Sequence, residues 1–146
     1  MSHQASRDRS VRRVAAALLV TGVVNGIVYA VMIARGYPLA AGHPEAFRDL
    51  QRAMTWSDAY MTLAVLAGGM GLLMGRWWGR PLGIAGAAAL FYMGVLDVAF
   101  LAQHGMYARL DSVVLLMIVV DAWALGVGAW VGVTLGRMSA AQHGRG

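Results

Sequence analysis

Four long apolar stretches run along the chain, at residues 14–34, 56–74, 82–102 and 112–135, each bounded by Arg, Pro, Gly, Trp or a polar cluster. A helix rising about 1.5 Å per residue needs about 20 mostly apolar residues to cross a hydrocarbon layer about 30 Å thick. Backbone amides placed there must find their hydrogen bonds within the segment itself. The pattern therefore predicts an all-α, integral membrane four-helix bundle over residues 14–135, with tails at 1–13 and 136–146 that are expected to fray. Short connections after the second and third stretches predict that successive helices run antiparallel.

The connection at 35–55 is longer, and its second half has a pattern of its own. Pro44 can open a helix in which Phe47, Leu50 and Met54 share one face while Arg48, Asp49 and Arg52 point away. Such a segment, 44–55, is expected to lie flat on the membrane surface, as an ordinary connector or as a lid.

Composition strengthens the membrane reading. With 59% apolar and 13% charged residues, a chain of 146 residues has too little polar surface to face water. All twelve basic residues are Arg, and they stand at span ends rather than along one face, which argues against nucleic acid as a partner. If the spans alternate in direction, Arg7, Arg9, Arg12, Arg13, Arg76, Arg80, Arg137 and Arg145 fall on one side. Arg35, Arg48, Arg52 and Arg109 fall on the other. The positive-inside rule then places both termini in the cytoplasm, and Trp77, Trp78 and Trp56 suit the two interfacial belts. The Arg-rich flank before the first span looks like a signal peptide, but the apolar run is too long and lacks a small-x-small site, so it is expected to stay uncleaved.

Glycines four apart form flat stripes that let another backbone approach: Gly22 and Gly26, Gly71 and Gly75, and Gly128, Gly132 and Gly136. These stripes can join helices of one bundle or two copies of the chain. Two of them lie toward the cytoplasmic end, so the tightest packing is expected there.

Intramembrane acids need a partner, a proton or water, which makes Asp58, Asp97 and Asp121 the residues to explain. Counting from the outer span ends puts them at depths of about 3, 7 and 14 Å respectively. Asn25 and Tyr92 match Asp121 in depth, so Asn25, Tyr92, Asp97 and Asp121 are expected to converge on a polar pocket open to the outside. Asp58, Arg52, His104 and Arg109 would form its rim. Each has a plainer use as well: Asp58 as a helix cap, Asp97 in a structural pair, Asp121 and Asn25 in interhelical hydrogen bonds.

Other chemistries are not represented. The chain has no Cys, and its four His lack the spacing of a helical zinc or haem site, so no cofactor is expected. The ten Met read as apolar packing rather than as copper ligands, and no phosphate loop or nucleophile elbow is present.

The stretch LFYMGVLDVAFLAQHGMY at 90–107, with the Trp and Asp near the start of the second span, resembles small uncharacterised four-span bacterial inner-membrane proteins. That likeness covers about the last two thirds of the chain, implies a four-helix fold, and marks Asp58, Asp97 and the segment 103–107; it brings no activity with it. Small multidrug transporters and fluoride channels do not match. Three functions follow as expectations: a non-enzymatic binding module or accessory subunit among membrane lipids, a proton-linked transporter using Asp121 and Asp97, or a small enzyme acting on a lipid or isoprenoid.

Overall fold

In the computed structural model the backbone is described for residues 2–36 and 45–143, and side chains for 8–36 and 45–138. Helices α1 (Ser2–Ala34), α2 (Glu45–Leu73), α3 (Gly79–Gln103) and α4 (Ser112–His143) account for nearly all of it, with one 3₁₀ turn at Met106–Ala108. Three helical stretches, Asp8–Ala34, Gly79–Gln103 and Ser112–Met138, are long and apolar enough to cross a membrane. The outward faces agree: on α1, Val20, Val24 and Ile27 are 54%, 55% and 60% exposed, a surface suited to lipid rather than to water. Helix α2 is less apolar, because Asp49, Arg52 and Asp58 interrupt it.

Residues 2–13 contain neither Gly nor Pro to stop a helix, and α1 runs back to Ser2; α4 likewise continues to His143. The segment 44–55 is not a separate helix lying flat. From Glu45 to Ala67 no Gly or Pro occurs, and α2 is continuous from Glu45 through the apolar stretch. Pro44 itself lies outside the described residues.

Continuity of α2 sets its inward face. Phe47, Gln51, Asp58, Met61, Val65 and Gly68 are buried, at the three- and four-residue spacing of one helical face. The helix ends at Gly75, whose φ of 63° suits a residue without Cβ. There Arg76 N–H donates to the Gly71 carbonyl at 2.8 Å and Gly75 N–H to that of Leu72 at 3.2 Å, so the orphan carbonyls are satisfied.

This turn brings α2 and α3 together backbone to backbone. A Cβ on Gly68 would come within 2.6 Å of the Gly83 nitrogen, and one on Gly79 would collide with the backbone of Gly71 and Leu72. Gly22 packs under Leu66, and Gly128 against the Ala87 carbonyl. The predicted stripes are thus only partly used: Gly75 is a turn residue, and Gly132 and Gly136 have open space around them.

Packing follows chain order, α1 on α2, α2 on α3 and α3 on α4, while α1 meets α4 over a short stretch. There Trp123 Nε1–H donates to Thr21 Oγ1 at 3.1 Å. One apolar cluster has members on all four helices, including Leu18, Met61, Val65, Leu90, Ala124 and Val131. A second cluster, Phe47, Leu101, Met106, Val114 and Met117, gathers where α2 and α4 begin and α3 ends.

The segment between α3 and α4 turns on two left-handed residues, Gly105 at φ 62° and Leu110 at φ 37°. Asp111 then caps α4, its Oδ1 accepting from Val113 N–H and Val114 N–H at 3.0 Å each.

Candidate functional site

Three carboxyls from three different helices occupy the level between the two apolar clusters. On α2, Asp58 lies between Phe47 and Met61; on α3, Asp97 lies between Met93 and Leu101; on α4, Asp121 lies between Met117 and Ala124. Asp58 and Asp121 are only 3% and 2% exposed, and Asp97 is half-buried. Asp97 is within electrostatic range of both of the others.

The surroundings do not neutralise these acids. Among the described residues, Asp58 Oδ2 and both carboxyl oxygens of Asp121 are buried without a hydrogen-bond partner. No arginine pairs with any of the three among those residues, and Arg52 and Arg109 are exposed. An unpaired carboxylate in such a place costs several kcal/mol, roughly, so the group must take up a proton or a cationic partner. Among the described residues no set of three acidic or histidine side chains is arranged to hold a metal ion.

Tyr107, on the 3₁₀ turn, is within electrostatic range of Asp121 and Asp97. Its own burial, then the carboxyls of Asp121 and Asp97, push its phenol above the ordinary tyrosine value. Its hydroxyl donates to the Val98 carbonyl at 3.5 Å, at the long limit for such a bond.

Of the four residues expected to form the pocket, only Asp97 and Asp121 come together. Asn25 is committed elsewhere, its Nδ2–H donating to Thr62 Oγ1 at 2.7 Å across the α1–α2 contact. Tyr92 is 62% exposed. It precedes Asp97 by five residues, a rotation of about 140° around the helix, and so faces away. It lines an open groove of about 520 Å³ with Trp56, Tyr60 and Leu96.

The expected rim is rearranged too. Asp58 is not a helix cap, because α2 begins at Glu45 and leaves no free N–H near it; it belongs to the acid cluster itself. His104 closes its own helix end, with Nδ1 donating to the Phe100 carbonyl at 3.0 Å and its ring stacked on Phe100. The continuous α2 brings Phe47, 1% exposed, against Leu101, Met106, Val114 and Met117, an apolar plug at the end of the cluster where α2 and α4 begin and α3 ends.

Gln51, at 7% exposure, is a buried polar residue that the sequence reading did not single out, whereas the half-buried Tyr107 lies in the segment 103–107 that the family likeness marks. Gln51 was within reach: stepping back from Val65 by fours and threes passes Met61, Asp58 and Met54 to Gln51 and Phe47. For Tyr107 periodicity gives no comparable signal, since its place depends on how a short turn folds back.

The structure thus defines a helical protein with the helices of a membrane protein and a buried acid cluster. Comparison with protein families, curated proteins and solved structures finds no match for the chain.

Proposed function

We propose that the chain is a four-span protein of the bacterial inner membrane with both termini in the cytoplasm, and that it acts as a non-enzymatic binding module or accessory subunit. Its binding element is the carboxyl cluster of Asp58, Asp97 and Asp121, which holds protons at rest and accepts a cationic group when its partner is engaged. The observation that carries this reading is the burial of Asp58 and Asp121, with Asp58 Oδ2 and both carboxyl oxygens of Asp121 lacking a hydrogen-bond partner among the described residues. Acids kept in that state lower stability, and proteins keep such groups where they serve binding or proton exchange. The fourth span is α2, whose glycine-bearing half packs between α1 and α3.

A second reading, proton-linked transport, draws on the same three acids but requires access from both sides. The apolar clusters on either side of the acids favour binding over transport. Labelling single cysteines in proteoliposomes separates the two, and the cysteine-free chain needs no background removal. Cysteines replacing Leu63 and Leu66 are expected to resist impermeant reagents from both sides, as a fourth span requires. A cysteine replacing Asp121 is expected to react from one side at most. Reaction at Asp121→Cys from both sides, together with proton-coupled flux, would replace the binding reading with transport.

A further inference from the structure

We propose that residues 104–111 form the gate through which protons reach the carboxyl cluster, with Met106 as its plug and the Tyr107 hydroxyl as its polar step. The inference rests on the reading of the cluster as a proton-holding site.

Among the described residues, this segment is the one stretch of non-α-helical chain beside the cluster; every other wall is a helix. Met106, 2% exposed, fills the centre of the outward plug against Phe47, Leu101, Val114 and Met117. The backbone bonds around it belong to the turn itself, Ala108 N–H to the Gly105 carbonyl and Arg109 N–H to that of Met106, so moving it to uncover the acids acts on the turn rather than on the interior of a helix.

The segment is built to move. It begins at Gly105, which adopts a left-handed conformation without cost, and ends at Leu110, which adopts one at a cost because it carries a side chain. The closed form therefore stores strain at one end and has a pivot at the other. Packing of Met106 opposes that strain, which makes the closed and open forms closer in energy than a relaxed loop would allow.

Tyr107 supplies what an apolar plug lacks. Its hydroxyl has only the long 3.5 Å contact to the Val98 carbonyl, beside Asp97, and it feels both Asp121 and Asp97. The titratable groups within electrostatic range of it are Asp121 from α4 and Asp97 from α3, and Asp97 is in turn within range of Asp58 of α2. Among the described residues α1 contributes none; His104 is held on Phe100, Asp111 caps α4, and Arg109 is exposed. A proton enters when a carboxylate oxygen takes the phenol proton while the phenol oxygen takes one from a hydronium ion in solvent. The phenol is restored and water is released.

The test is proton–deuteron exchange at the carboxyls of the full chain in proteoliposomes, followed by the infrared C=O stretch of the protonated acids after transfer to heavy water. Met106→Ala is expected to speed exchange at least about tenfold, and Tyr107→Phe to slow it by about the same factor. Leu110→Gly, which removes strain without touching the plug, is expected to slow it as well, and it serves where Met106→Ala fails to fold. Rates within about twofold of the parent protein in the folded variants would overturn the gate while leaving the cluster intact. Absence of any protonated carboxyl band in the parent protein would overturn the cluster reading itself.

Discussion

Replacing Asp121 with leucine is expected to stabilise the folded protein, by about 1–3 kcal/mol, while abolishing its binding role. Both carboxyl oxygens of Asp121 are buried with no hydrogen-bond partner among the described residues, so the side chain loses hydration on folding and regains nothing in exchange. Its neighbours one turn away, Met117 and Ala124, are apolar and buried, and leucine extends that surface. The sign is what matters. Had Asp121 been an interhelical hydrogen-bonding residue, the same substitution would destabilise by about 1 kcal/mol, the usual worth of such a bond between membrane helices. Reversible unfolding in mixed detergent micelles, comparing parent and variant, distinguishes the two signs directly. Asp58→Leu is expected to act in the same direction, and the double variant to fall short of the sum, because both acids share Asp97 as their neighbour.

The second large effect is expected at the α2–α3 turn. Gly79→Val places a branched side chain where even a Cβ would collide with the backbone of Gly71 and Leu72. Backbone cannot yield as a flexible side chain can, so the helices must separate, at a cost of about 3 kcal/mol in the same unfolding assay. Gly132→Val is the internal control. Nothing lies within 4 Å of a Cβ at Gly132, and that variant is expected to stay within about 0.5 kcal/mol of the parent. If both variants lose stability equally, close packing at the turn is not what holds α2 against α3.

The comparison of Gly79 with Gly132 also shows where sequence reasoning reached and where it stopped. Four-residue glycine spacing is a property of one helix, whereas a close contact needs a partner at the same height. Gly128, Gly132 and Gly136 satisfy the spacing equally, yet Gly128 alone meets α3. Three of the four apolar stretches were legible because length and hydropathy decide them locally, and Asp97 and Asp121 stood out because acids in such stretches are rare. Asp58 was misread for the opposite reason. The sequence around Ser57 and Asp58 has the form of a helix start, but with no Gly or Pro between Glu45 and Ala67 the helix runs through, and the same continuity carries Phe47 into the plug. Depth alone placed Tyr92 and Asn25 beside the acids. Rotation around each helix axis, which depth ignores, turned Tyr92 outward, and the Thr62 hydroxyl drew Asn25 toward α1–α2 packing instead.

The most direct measurement is carbon-13 NMR of the aspartate side-chain carboxyls in detergent micelles or nanodiscs at neutral pH. The chain has six aspartates, few enough to assign by substituting each with asparagine. Asp58 and Asp121 are expected to show protonated carboxyls that exchange slowly with solvent. Six ionised aspartates at neutral pH would mean that Asp58, Asp97 and Asp121 are wetted or paired, and a buried proton-holding cluster would not exist.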